Sequence, residues 1–232
     1  MNELQQRITS VRQRIARAAA QAGKTEAEIT LVGVSKTFPV EMVNAAVELG
    51  LTHIGENRIQ EARTKFPQVT GKPLFHMIGH LQRNKVKYAV KLFDLIQSLD
   101  SISLAEEIEA RCSKLGKTMP VLLEVNTSGE EAKEGCAPSE AITLLKAIDR
   151  LPHLCVEGFM TVALYSEDPE LVRPCFRQLR GIYEEGRSLN LERANLKYLS
   201  MGMSNDFELA IAEGANMVRV GSAIFGDRRN PA

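Results

Sequence analysis

The sequence predicts an α/β fold: one parallel (β/α)8 barrel of the TIM type, occupying residues 1–232 as a single domain, with an extra N-terminal helix closing the ring of helices. Three observations predict it. Short apolar, β-branched runs alternate with longer amphipathic stretches along the whole chain, the pattern of repeated βα units. Eight such runs and eight such stretches can be counted. With 232 residues, 44% hydrophobic and 25% charged, the chain can bury one sizeable core undivided.

Each element has its own local signals. The opening stretch MNELQQRITSVRQRIARAAAQAG has apolar residues at helical spacing, interrupted by arginine and glutamine, and predicts a helix over 4–22 that stops at Gly23. It lacks the continuous apolar core of a signal peptide. The first strand falls at 29–34 and its helix at 39–49, with Pro39 suited to the first turn and Gly50 to the stop. Strands at 52–54, 74–78 and 93–96 precede helices at 57–65, 82–90 and 101–115, the last closed by Gly116. The fifth strand, 119–125, leads to a helix at 138–150 with Ser139 as a candidate cap, and the sixth, 154–160, to a helix at 168–188. The seventh, 198–200, leads to a helix at 204–213 between a candidate cap, Ser204, and a stop, Gly214; the eighth strand is 217–220. No linker, repeat or low-complexity segment divides the chain. An open doubly wound sheet is the alternative arrangement, and in both the chemistry belongs at the strand C-termini.

Composition narrows the partners. Lysine plus arginine equal aspartate plus glutamate at 29 each, so there is no general attraction to nucleic acid or anionic membrane, and a small molecule is expected instead. Nothing approaches the roughly 18 uninterrupted apolar residues that span a bilayer. Cys112, Cys136, Cys155 and Cys175 show neither C-x-x-C spacing nor the density of a disulfide scaffold, and read as the reduced thiols of a cytoplasmic protein.

The predicted strand ends carry Lys36, Asn57, His80, Thr127, Thr161, the run 200–204 and the run 219–222. Lys36 follows LVGVS directly, and an amine partly desolvated at a barrel mouth is a usable nucleophile, although a strand-end lysine also commonly snorkels into solvent. SMGMS at 200–204 and VGS at 220–222 put glycine and hydroxyl residues where barrels bind phosphate through backbone N–H groups. Glycine and serine also make ordinary turns, so the signal is the pair of clusters on adjacent strands. Arg219, inside the apolar run MVRVG, needs an anionic or accepting partner, which a ligand or a carboxylate such as Glu56 or Asp206 would supply. His53, His76 and His80 show no metal-ligand spacing, and no H-E-x-x-H, G-x-x-x-x-G-K or G-x-G-x-x-G motif occurs. The stretch TSGEEAKEG, with Glu130, Lys133 and Glu134, reads as a solvated charged loop.

Taken together, VSKTFP around Lys36, IGENRIQE at 54–61, FHMIGHLQRNK at 75–85, VNTSGEEAKEG at 125–135, EGFMT at 157–161 and the closing pair SMGMSNDFELAIAEG and MVRVGSAIFG resemble one family. Almost end to end, the chain resembles the pyridoxal 5'-phosphate (PLP) homeostasis proteins of the YggS/PROSC type, which are related to the N-terminal barrel domain of alanine racemase. The resemblance implies PLP as cofactor, held as an internal aldimine on Lys36, with Ser200, Gly221 and Ser222 around the phosphate and Arg219 facing the pyridine nitrogen. Asn57 and His80 resemble lining residues. Arg58, where relatives often have an aromatic residue, and the glutamate-rich loop around Glu130 are departures confined to the rim.

The same resemblance implies a carrier that buffers PLP, with effects on vitamin B6 and amino-acid homeostasis and without established turnover. An arginine beside the ring nitrogen fits that role, because it disfavours ring protonation and weakens the electron sink. PLP-dependent apoenzymes are the implied partners, and a monomer is expected. The main alternative is a one-domain amino-acid racemase using Lys36 as one base. Related racemases take the opposite base, a tyrosine, from an extra β domain, and the ten residues after Ser222 leave no room for one. Tyr88, Tyr165, Tyr183 and Tyr198 stand at no predicted strand mouth. A cofactor-free Schiff-base aldolase and a pure interaction scaffold complete the alternatives.

Overall fold

A computed structural model describes residues 3–130 and 132–226. In chain order the elements are α1 (Glu3–Gln21), β1 (Thr30–Val34), α2 (Val40–Glu48), β2 (His53–Glu56), α3 (Ile59–Lys65), β3 (Leu74–Met77), α4 (Val86–Leu92) and β4 (Leu95–Leu99). They continue with α5 (Ile102–Leu115), β5 (Met119–Glu124), α6 (Ala141–Ile148), β6 (Leu154–Met160), α7 (Pro169–Arg187), β7 (Tyr198–Ser200), α8 (Phe207–Ala212), β8 (Met217–Val220) and α9 (Ser222–Phe225). Every strand pairs parallel with the next, and β8 returns to β1 with Thr30 opposite Met217 and Gly33 opposite Val220, closing the barrel. All strand C-termini therefore open on one mouth.

Alternation along the strands divides the molecule into two apolar regions. One set of side chains packs outward against the helices; the other points inward, where Val32, Leu95, Leu122, Met160 and Met217 fill the barrel. The interior is not purely apolar, since His76, Gln97, Glu124, Ser200 and Arg219 are also buried.

α1 shows why the helices sit where they do. Leu4, Ile8, Val11, Ile15 and Ala18 recur every three or four residues and form one buried stripe. That stripe packs on α8 and α9. Arg14 adds a two-point contact to Glu208, at 2.6 and 2.8 Å, and Arg7 Nε donates to Ile224 O at 2.8 Å. α1 thus covers the seam beside β8 and β1, as the N-terminal helix was expected to do.

The boundaries depart from the sequence reading in places that matter. β4 runs 95–99 rather than 93–96, because Phe93 ends α4 and packs edge-on against Phe66, at 5.3 Å between ring centres. The strand consequently continues through Gln97 and Ser98, polar residues that a reading by hydropathy places outside it. Glu140 and Asp206, not Ser139 and Ser204, occupy the N-cap positions of α6 and α8. Helix α9 was not predicted. Gly23, Gly50, Gly116 and Gly214 all adopt positive φ where helices were expected to stop. No helix among the described residues is long and apolar enough to cross a membrane. The segment 227–232, on which the expectation of no further domain turned, lies outside the described residues.

Candidate functional site

At the C-terminal mouth, the ends of β1, β2 and β8 and the loops after β6 and β7 enclose a cavity of about 370 Å³. Lys36, Asn57, Arg219, Gly221 and Ser222 line it, together with Tyr165, Met203, Ser204 and Asp206.

Lys36 leaves β1 half-buried between two anchored neighbours. Before it, Ser35 donates its hydroxyl proton to Glu56 Oε1 at 2.7 Å, and its carbonyl accepts from Lys65 Nζ at 2.9 Å. Lys65 Nζ also pairs with Glu56 Oε1 at 2.5 Å. Burial pushes the Glu56 carboxyl above its usual range, against the opposing pull of Lys65 and Ser35. After Lys36, Thr37 takes a left-handed φ of 70°, and its N–H donates to Glu61 Oε2 at 2.8 Å. A non-glycine residue there is strained, and the contact holds it in place.

Arg219 projects from β8 with only 4% of its surface exposed. Nη1 donates to Ser200 Oγ and Nη2 to Thr161 O, both at 2.7 Å. Desolvation pulls its pKa down to about 10, while Glu124 and Asp206 act to keep it charged. Glu124 in turn is pushed up to about 7 by burial, with Arg219 opposing. Asp206, also raised by burial, accepts from Met203 N–H at 2.5 Å. The carboxylates facing Arg219 are therefore Glu124 and Asp206; Glu56, the other sequence candidate, is committed to Lys65.

Beside Arg219 the chain turns into α9. Gly221 N–H and Ala223 N–H both donate to Ser204 Oγ, at 3.2 and 3.3 Å, so backbone donors and hydroxyls converge at that end of the cavity. Gly202 makes the approach possible. At its φ of 94°, a Cβ would lie 2.6 Å from Ala210 Cβ and 2.9 Å from Phe207 Cα. Across the cavity, Asn57 carries a buried Oδ1 without a hydrogen-bond partner among the described residues. A buried acceptor of this kind calls for a donor, and one on a cavity wall can take it from a ligand.

Five of the residues singled out from the sequence, Lys36, Asn57, Arg219, Gly221 and Ser222, thus share one cavity. Ser200 does not join them. Strand alternation turns its side chain into the barrel, where it is fully buried and hydrogen-bonded to Gln97 and Arg219, and the hydroxyl beside Gly221 is that of Ser204. His80 belongs to a separate rim cluster with Asp100 and Glu134, whose ligating atoms lie within 4.8 Å of one another. Sequence spacing gave no sign of that cluster. Tyr165, expected away from any mouth, lines the cavity and is 82% exposed. Lys133, expected to be solvated, reaches Ala163 O at 3.1 Å and ties its loop to the end of β6. Sequence reasoning missed Glu124, Gln97 and the role of Ser204. Only Glu124 carried a readable signal, as a single acid at the end of the apolar run PVLLE.

Chemically, the cavity offers an amine, a guanidinium held by neutral acceptors and a group of N–H and O–H donors, in a volume suited to a small molecule. It fits a ligand with a carbonyl for the amine, an accepting nitrogen for the guanidinium and an anionic group for the donors. PLP has all three.

Comparison with known proteins agrees. A family model described as alanine racemase, N-terminal domain, matches residues 7–229. A pyridoxal phosphate homeostasis protein of Aquifex aeolicus is 44% identical over 226 residues, covering 97% of this chain and 98% of the relative. A crystal structure of an unknown protein from Bifidobacterium adolescentis has a TM-score of 0.92 at 38% identity, covering 96% of this chain and 94% of the other. PipY of Synechococcus elongatus, solved with PLP bound, has a TM-score of 0.84 at 30% identity, covering 97% and 100%. With its barrel, its lysine-bearing mouth and these full-length relatives, the chain belongs to the alanine racemase N-terminal domain family and, within it, to the pyridoxal phosphate homeostasis proteins.

Proposed function

We propose that this protein binds PLP in the barrel-mouth cavity, attached covalently through Lys36, and serves intracellular PLP and amino-acid homeostasis as a carrier without catalytic turnover. The observation that carries the reading is the convergence of Lys36, Arg219 and the Gly221–Ser222 turn on one small cavity. The PLP-bound PipY relative supports the cofactor, and the names of the homologues support the role.

Bound PLP supplies a carbonyl that condenses with an amine and a ring that withdraws electrons. The protein's own residues do the rest. Lys36 provides the amine, held at the strand end by Ser35 and Thr37 on either side. Gly221 and Ser222, with Ser204, donate to the phosphate. Arg219, a cation even at a pKa of about 10, faces the ring nitrogen and keeps it unprotonated. Asn57 Oδ1 accepts from the ligand. An enzyme that draws electrons through the ring needs an acid at that nitrogen, so the arginine favours storage over turnover.

Tyr165 favours a second reading. A phenol lining the same cavity as Lys36 is the second base that a racemase would need, although its high exposure leaves it in water. The carrier reading includes residues 1–232 as one domain, a monomer, a cytoplasmic setting supported by cysteines that are free among the described residues, and PLP-dependent apoenzymes as recipients.

The test is the visible spectrum of the purified protein before and after borohydride reduction, with mass spectrometry to locate the adduct and addition of single amino acids afterwards. A reducible chromophore on Lys36 without turnover is expected, and Lys36→Ala should lose the adduct while remaining folded. A colourless protein that PLP does not colour would point to a cofactor-free aldolase, and turnover of an amino acid to the racemase. A reducible adduct persisting in Lys36→Ala would overturn the assignment of the lysine.

A further inference from the structure

Arg219 stands at one end of a hydrogen-bonded chain through the barrel interior. Its Nη1 donates to Ser200 Oγ at 2.7 Å, and Ser200 Oγ donates to Gln97 Oε1 at 2.7 Å. Gln97 Nε2 meets His76 Nδ1 at 2.8 Å, and His76 Nε2 meets His53 Nδ1 at 2.9 Å. His53 lines a second cavity, of about 620 Å³, at the opposite end of the barrel. The chain therefore spans the molecule from floor to mouth. Ser200 and Gln97 are fully buried and His76 is 2% exposed, among the methionine, leucine and valine side chains that fill the barrel.

The direction of every link follows from one fact: a guanidinium can only donate. Ser200 accepts from Arg219, so its single proton goes to Gln97 Oε1. That orients the amide, whose NH₂ then faces His76 and requires an unprotonated Nδ1. A neutral His76 carries its proton on Nε2 and donates to His53 Nδ1, so His53 is neutral as well, with its proton on Nε2. Burial holds the His76 pKa down to about 3, in accord with a neutral ring. Reversing any link would place two donors or two acceptors face to face in an apolar interior, which costs more than losing the bond.

We propose that Gln97 and His76 are positioning residues for Arg219, forming a one-directional relay that fixes the guanidinium at the ring-nitrogen side of the cavity. This rests on the PLP reading above, but the relay itself can be tested without the cofactor. An arginine held only by its own flexible stem would sample several orientations in the cavity; two fixed acceptors, Ser200 Oγ and Thr161 O, leave it one.

Imidazole ¹⁵N NMR of the ligand-free protein should find His76 and His53 both as Nε2–H tautomers. An ionised glutamate can only accept, so in Gln97→Glu, at a pH where that carboxyl is ionised, His76 should convert to the Nδ1–H form. Gln97→Leu should weaken PLP binding about tenfold and shift the absorption of the bound cofactor, and Gln97→His, which keeps one acceptor and one donor, should restore both. Gln97→Glu keeps the size and polarity of the residue and reads the same relay if the leucine variant does not fold. An Nδ1–H or doubly protonated His76 in the unaltered protein would overturn the relay. Unchanged affinity and spectrum in folded Gln97→Leu would overturn its positioning role even with the tautomers as expected. Wild-type protein that fails to bind PLP would instead overturn the cofactor reading, and the NMR result on the relay would stand apart from it.

Discussion

Thr37 and Ser35 explain more about Lys36 than the lysine does itself. One neighbour is held in left-handed backbone by Glu61, and the other is pinned on both its hydroxyl and its carbonyl by the buried Glu56–Lys65 pair. The lysine thus leaves the strand in one direction, set by Glu56, Glu61 and Lys65, which lie outside the short sequence SKT. Arg219 is different, because its worth depends on what surrounds it. Glu124 and Asp206 face it, so Arg219→Glu would place a third carboxylate among them. Reduced thermal stability and a cofactor spectrum shifted towards the protonated ring are expected, and a spectrum unchanged across pH would count against the ring contact. The pH behaviour of the fold should come largely from two interior groups. Glu124 has its pKa raised to about 7, so its protonated form suits the fold, and stability present below about pH 4.5 is lost as pH rises towards 7. His76 has its pKa lowered to about 3, so its neutral form suits the fold, and stability present above pH 6.5 is lost as pH falls towards 3. The effects are on the order of 3 kcal/mol for Glu124 and on the order of 5 kcal/mol for His76. In melting curves, Glu124→Gln should gain on the wild type as pH rises through 4.5 to 7, and His76→Asn should gain on it as pH falls below 6.5.

Among the elements, β6 shows how a local irregularity serves the barrel. The register between β5 and β6 slips between Val121 and Leu122, so that Val121 faces Val156 while Leu122 faces Gly158. Gly158 takes a φ of 149°, and a Cβ on it would lie 1.8 Å from Tyr198 O, inside the adjacent strand β7. Only glycine permits the bulge and the close pairing together. Gly158→Ala should therefore cost about 2–4 kcal/mol in urea unfolding, far more than alanine costs at an ordinary strand position. A loss below about 1 kcal/mol would mean that the backbone relaxes there more easily than this packing implies. α9 illustrates the opposite limit. Four residues long, it has no periodicity for a sequence reading to find, yet it sets the N–H groups of Gly221 and Ala223 against Ser204. Its existence follows from β8 ending at the mouth and from α1 covering Ile224 and Phe225, which are contacts made across the whole chain.

For the molecule as a whole, short apolar runs alternating with amphipathic stretches marked out eight βα units and the strand ends that carry the site, with a closed barrel expected and an open doubly wound sheet as the alternative; the pairing of β8 with β1 closes it. Lys36, Asn57 and the Gly221–Ser222 turn were legible because they stand at predicted strand ends, which in a barrel meet on one side, and Arg219 because it is a lone charge inside the apolar run MVRVG. Which way a side chain turns within a strand was not legible. Ser200 was expected around the phosphate and Gln97 beyond the end of its strand, and only the closed sheet turns them inward, to face each other from strands β7 and β4 across the interior. His53 and His76, 23 residues apart, likewise meet only because β2 and β3 pair in the observed register. Local pattern determines which elements form, because hydropathy and backbone preference act over a few residues. The tertiary structure alone decided the relay, the partners of Arg219 and the place of Ser204, because hydrogen bonds between distant residues depend on sheet closure and register, to which no short stretch of sequence responds.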